Sequence, residues 1–126
     1  LTYGAKLFLP GTRSMGIGVC DDPFADIAFD LMNGVKELLA SDVPVSREDI
    51  HMEFEIGPGY AIPSEAGCAA VRRLARSEGI LVDPVYTGKA LAGLFRLLEE
   101  GYFDQDERIL FVHTGGAGAL FAVNMI

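Results

Sequence analysis

Residues 14–23 read Ser14-Met15-Gly16-Ile17-Gly18-Val19-Cys20-Asp21-Asp22-Pro23. Ser14 to Cys20 is a short, nearly uncharged run of strand length, of the kind that a parallel sheet buries on both faces. Two aspartates and a proline stop it, and Asp22 is placed to cap a helix with proline at its first position. Beyond Pro23 the apolar residues Phe24, Ile27, Leu31, Val35, Leu38 and Leu39 recur at intervals of mostly three and four. That spacing predicts an amphipathic helix with one face turned to a sheet. A buried strand that delivers the chain directly into such a helix is the opening of a β-α unit, and it points to an α/β layer fold.

The flanking sequence extends the pattern. Upstream, Leu1 to Leu9 reads as the end of a helix closed by Pro10-Gly11. Downstream, Asp49 to Ile56 alternates Ile50, Met52, Phe54 and Ile56 with polar neighbours, the period of a half-exposed strand, and stops at Gly57-Pro58-Gly59. Pro63 to Ser77 returns to helical spacing through Ala66, Ala70, Val71 and Leu74, with Gly79 as terminator. A third helix is predicted over Thr87 to Glu100, capped by Thr87, with Leu91, Leu94, Phe95 and Leu98 inward and Gly101 after its end. Arg108 to His113 reads as another short strand, and Thr114-Gly115-Gly116 leads into a final small-residue helix. The expected fold is α/β, a mainly parallel sheet with flanking helices, and residues 1–126 form a single unit without repeats or linkers.

Composition narrows the function classes. The chain has 126 residues, 50% hydrophobic and 22% charged, within the range of one globular domain. Its formal net charge of -8 opposes binding to phosphate backbones, so nucleic acid is not an expected partner. The longest apolar runs fall well short of the roughly 20 residues of a membrane span. Cys20 and Cys68 stand far apart, with no Cys-x-x-Cys spacing and no histidine beside them, so they are read as reduced, buried thiols and no metal site is expected. No secretory leader pattern is seen, which makes the cytoplasm the expected compartment. The chain opens on Leu1 rather than methionine, as the product of processing, cloning or cleavage would.

Ligands of open α/β sheets bind beyond the carboxyl ends of the strands, which directs attention to three loops. They are Gly57-Pro58-Gly59-Tyr60, Asp83-Pro84-Val85-Tyr86-Thr87-Gly88-Lys89 and His113-Thr114-Gly115-Gly116. Each sets a hydroxyl beside glycine, where backbone can approach a ligand closely. The residues by themselves leave plainer roles open. Tyr60 and Tyr86 can be half-buried aromatics, Thr87 a helix cap and His113 a satisfied core histidine. Gly115-Gly116 can be a tight turn, and Lys89 a solvated or capping charge.

The order and wording of the motifs go further. The run from Glu78 to Leu94, with Asp83-Pro84-Val85-Tyr86-Thr87-Gly88-Lys89 at its centre, resembles a signature of the D-cysteine desulfhydrase and 1-aminocyclopropane-1-carboxylate deaminase family. Gly59-Tyr60 before it and His113-Thr114-Gly115-Gly116 after it resemble two further family motifs, in the family's order. Smaller departures are Ala61, where glycine is commoner, and Gly118, where many relatives have proline.

The resemblance implies a fold-type II enzyme, like the β subunit of tryptophan synthase, dependent on pyridoxal 5'-phosphate. In such enzymes a lysine holds the cofactor and the conjugated ring accepts electrons from the substrate's α-carbon. It implies that Tyr60 and Tyr86 face the substrate as catalytic residues, and that Thr87, Thr114 and Gly115 contact the cofactor, with Thr114 at the pyridine nitrogen. Ring-opening deaminases resemble Tyr-Glu-Gly-Lys and His-Leu-Gly-Gly at the corresponding places, so Thr87 and Thr114 favour release of sulfide from D-cysteine. A cysteate sulfo-lyase would share the scaffold. A reading from another class is a noncatalytic domain that holds an anion on the Thr114-Gly115-Gly116 turn. The family's Schiff-base lysine and phosphate loop lie upstream of the segment that matches Leu1, and none of Lys6, Lys36 or Lys89 stands in a matching motif. The chain is therefore expected to be the C-terminal half of a longer enzyme, inactive without its N-terminal half. Its expected partners are that half, an amino-acid substrate and, as a homodimer, a second copy.

Overall fold

A computed structural model describes residues 1–122 of the chain. Helix α1 (Thr2–Phe8) leads into strand β1 (Met15–Gly18), then helix α2 (Phe24–Leu38). Strand β2 (His51–Phe54) pairs with β1 in parallel, with Met15 opposite His51 and Gly18 opposite Phe54. Helices α3 (Glu65–Glu78) and α4 (Thr87–Glu99) follow, and a short 3-10 turn (Ala117–Phe121) ends the described chain. The α/β class and the parallel sheet agree with the sequence reading.

The two faces of the sheet have different fates because the pleat turns successive residues to opposite sides. Ile17 points at α4, where Gly93 has no side chain: a Cβ there would stand 2.9 Å from Ile17 Cγ2. On the other face Gly16 and Gly18 leave room for Met52 and Phe54, whose side chains would meet any added Cβ within 2.7 Å. The core lies between α3 and α4, where Ala70, Val71, Val82, Leu91 and Ala92 pack together with Leu74, Leu94, Phe95 and Phe111 against them. Arg96 ties α4 to the sheet through Glu53 and Glu55.

Several expectations change. Arg108 to His113 forms no strand, because the described sheet has two strands and neither pairs with this segment; a ladder needs a partner edge whatever the local pattern. Asp22 does not cap α2. Pro23 stands one position outside the helix, and the Asp22 carboxylate accepts the Cys20 thiol at 3.1 Å instead. The apolar stripe of α2 is amphipathic as expected but stays uncovered, with Leu31 65% and Leu38 83% exposed; Met32 is the buried residue of that helix. On α4 Leu91, Leu94 and Phe95 face inward as expected, but Leu97 is buried in place of Leu98, which is exposed, and on α3 Gly67 and Cys68 are buried while Ala66 is not. Both cysteines are free and buried. Among the described residues no helix is long and apolar enough to cross a membrane.

Candidate active site

The site is organised by a residue that carries no chemistry of its own. Asp83 is fully buried, and its carboxylate accepts the backbone N–H groups of Val85 at 2.8 Å, Tyr86 at 2.6 Å and Thr87 at 2.8 Å. The Thr87 hydroxyl donates to the same carboxylate and accepts the Asp83 N–H at 3.0 Å. A helix begins with unpaired N–H groups, and here one carboxylate takes those that open α4. Thr87 is therefore not the cap of its own helix; Tyr86 occupies that position and Asp83 performs the capping. Burial pushes the Asp83 carboxyl up, but the Thr87 hydroxyl and the Tyr86, Thr87 and Val85 amides overcome it and hold the group below its ordinary value.

Asp83 also sets the third loop. Gly116 lies against it so closely that a Cβ would stand 2.7 Å from Asp83 Oδ2, and Gly115 and Gly116 both take positive φ, 103° and 93°. The Thr87 hydroxyl lies 3.5 Å from the Gly115 carbonyl. His113 is not a core histidine. It is exposed, its Nδ1 accepts the Gly115 N–H at 3.0 Å, and its Nε2 then donates to the Leu81 carbonyl at 2.8 Å. Thr114 is exposed at this turn.

Tyr60 and Tyr86 meet across the first two loops. The Tyr86 hydroxyl donates to the Tyr60 oxygen at 3.0 Å, with the rings edge to face and their centroids 5.9 Å apart. The bond to Tyr60 and, next, desolvation push the Tyr86 phenol above its ordinary value, so Tyr86 keeps its proton. Both rings line a cleft of about 420 Å³ floored by Gly16 and Gly18 and walled by Met52, Phe24 and Cys20. The cleft is open, with Tyr60 63% and Tyr86 44% exposed.

Lys89 is not solvated. It is fully buried, and Nζ donates to the Ile56 and Gly59 carbonyls, each at 2.7 Å, across the turn that precedes Tyr60. Desolvation holds its pKa below the ordinary lysine value.

The expected site residues thus fall into two groups. Tyr60 and Tyr86 share the cleft, whereas Thr87 and Gly115 meet beneath the helix start, and Asp83 links the groups by holding both the Tyr86 and Thr87 amides. Asp83 is the residue whose role sequence reasoning missed; for Lys89 the resemblance implied a structural or electrostatic role, but not its burial or the two carbonyls it holds. For Asp83 a signal existed, since Asp-Pro three residues before a helical run is an Asx-turn pattern that captures helix-opening amides. For Lys89 the only signal is its setting among Gly88, Ala90, Leu91 and Ala92.

Three comparisons bear on this geometry. The family model described as "pyridoxal-phosphate dependent enzyme" matches residues 25–115. D-cysteine desulfhydrases of Salmonella typhi and Salmonella newport (strain SL254) are each 55% identical over 75 residues, 59% of this chain and 23% of theirs. A crystal structure of an ACC deaminase homologue superposes with a TM-score of 0.79 at 30% identity, covering 94% of this chain and 36% of that one. The chain thus spans well under half the length of the proteins it matches.

Proposed function

Because the chain belongs to the pyridoxal-phosphate-dependent enzymes, in the family of D-cysteine desulfhydrases and 1-aminocyclopropane-1-carboxylate deaminases, we propose that it is the C-terminal part of a carbon–sulfur lyase. That enzyme releases hydrogen sulfide from D-cysteine and leaves pyruvate and ammonia. The observation that carries the proposal is the paired phenols of Tyr60 and Tyr86 at the mouth of the glycine-floored cleft. Threonine at positions 87 and 114 favours the desulfhydrase over the ring-opening reaction.

The cofactor of the family is pyridoxal 5'-phosphate, which when bound draws electrons from the α-carbon of an amino acid. The residues present fit one wall of such a site. Tyr60 and Tyr86 offer hydroxyls, Thr114 offers a neutral one at an exposed turn, and Gly115 leaves open space where a Cβ would stand, so backbone there can approach a flat ligand. They do not fit the covalent anchor. Lys89 Nζ is committed to two carbonyls inside the protein, Lys6 is paired with Asp49 at 2.6 Å, and Lys36 stands in the last turn of α2, not among the residues that line the cleft. We assign the anchoring lysine to an N-terminal half. The open side of the cleft, the uncovered stripe of α2 and the unpaired Arg108–His113 segment are surfaces for that half to cover. A homodimer in the cytoplasm is part of the same proposal.

The phenols divide the work by the direction of their hydrogen bond. Tyr86 donates to Tyr60, so the Tyr60 proton is free to point into the cleft. Tyr60 gives that proton to the departing sulfur, and Tyr86, which keeps its own proton, donates its hydrogen bond to the charge that develops on the Tyr60 oxygen. A phenol with an ordinary pKa near 10 is a weak acid at neutral pH, and the hydrogen bond from Tyr86 offsets this by stabilising the charge left on the Tyr60 oxygen.

The test is turnover of D-cysteine by the assembled enzyme with Tyr60→Phe and Tyr86→Phe, each of which keeps the ring and removes one hydroxyl. Cofactor absorbance is expected to persist while sulfide release falls about 10²-fold or more. Parental turnover in both variants would reduce the pair to packing.

A further inference from the structure

We propose that Lys89 is a positioning residue for Tyr60, acting through the two backbone carbonyls it holds; the inference rests on the reading of Tyr60 as the acid.

Stability alone gives no reason for an ammonium at this place. Lys89 is fully buried with desolvation working against its charge, and an apolar side chain of similar volume commonly serves a buried site as well or better. What the ammonium does is bridge. Its stem passes Gly67 of α3, where a Cβ would stand 3.3 Å from Lys89 Cγ, and Nζ reaches Ile56 and Gly59 on either side of Gly57-Pro58.

The Gly59 carbonyl is the informative contact. It belongs to the same planar peptide unit as the Tyr60 nitrogen, so fixing that oxygen fixes the plane from which the Tyr60 side chain departs. The turn needs such a hold. Gly57, Gly59 and Ala61 all have positive φ, at 62°, 144° and 59°, and the turn's own Ile62 N–H to Gly59 carbonyl bond is long at 3.4 Å. Tyr60 thus sits between two residues in sparsely populated backbone regions, held from below by one cation. That cation is on the same helix that carries Tyr86 at its N-cap, so both phenols take their positions from α4.

The experiment uses the chain labelled with 13C at the tyrosine ring carbon that bears the hydroxyl, with Lys89→Met, which keeps the stem and removes the donors. The Tyr86 phenol, raised in the parent, is expected to return toward an ordinary tyrosine value. The Ile62 amide, which donates to the Gly59 carbonyl, should exchange at least about tenfold faster, while the Val71 and Leu91 amides of the core keep their protection. In the assembled enzyme kcat should fall with little change in KM, and Lys89→Met added to Tyr60→Phe should cost nothing beyond Tyr60→Phe alone. Unchanged Tyr86 titration and Ile62 exchange would overturn the inference, as would a multiplicative loss in the double variant. If Tyr60→Phe alone is as active as the parent, the acid role of Tyr60 falls, and titration and exchange still decide whether Lys89 positions it. Should Lys89→Met fail to fold, Lys89→Gln, which keeps one donor, is measured the same way with the same deciding results.

Discussion

Asp83→Ala tests the knot on which both loops depend. The substitution strands the Val85, Tyr86 and Thr87 amides and the Thr87 hydroxyl in a place where Asp83 itself has no exposed surface. Each buried donor without an acceptor costs about 1–3 kcal/mol, reduced where the helix start relaxes or water enters the hole, which gives about 4–5 kcal/mol in all. That approaches the whole stability of a small domain, of order 5–15 kcal/mol. Asp83→Asn, which keeps the oxygen that serves Val85 and Tyr86, should lose about 2–3 kcal/mol. Urea denaturation of the chain followed by far-UV circular dichroism reads both. The pH dependence has a defined sign, because the folded carboxyl is held below its ordinary value of 3.8. Its contribution is complete above the unfolded pKa and is lost as pH falls through the folded one. The gap between parent and Asp83→Ala should thus be flat near neutrality and shrink below a pH of about 4. A loss under about 1 kcal/mol, or a gap that widens in acid, would refute the capping role.

Gly88→Ala should destabilise by about 2–3 kcal/mol in the same assay, because its Cβ would fall 2.5 Å from the Asp83 carbonyl oxygen and 2.8 Å from Val71 Cγ2. Ala61→Gly should leave stability unchanged or raise it by up to about 1 kcal/mol, since Ala61 holds a left-handed φ of 59° that glycine adopts freely; a clear loss would show that the Ala61 methyl packs. Incubation of the folded chain with pyridoxal phosphate, borohydride reduction and peptide mapping should leave Lys89 unmodified, because its amine is sealed against two carbonyls. A pyridoxyl group on Lys89 would contradict that placement.

The α/β class was legible because Ser14 to Cys20 and the α2 stripe carry strong local periods. The Gly79 terminator needs only a left-handed backbone at one residue, which it has at φ 69°. What failed depends on partners. Arg108 to His113 has the composition of a strand, but composition cannot supply the edge it pairs with. The α2 stripe likewise announces an apolar face without saying what covers it. In the candidate site, the side chains suited to proton transfer could be picked from the motif, and Tyr60 and Tyr86 do meet. The supports could not. Asp83 and Lys89 act on backbone amides and carbonyls, and a lysine buried on carbonyls has the same letter as one in water.

The most direct test of the central claim is the product formed by the assembled enzyme, given D-cysteine in one assay and 1-aminocyclopropane-1-carboxylate in the other. The account predicts sulfide and pyruvate from D-cysteine and negligible ammonia from the cyclopropane substrate. Ammonia from the cyclopropane substrate without sulfide from D-cysteine would contradict it and return Thr87 and Thr114 to purely structural roles.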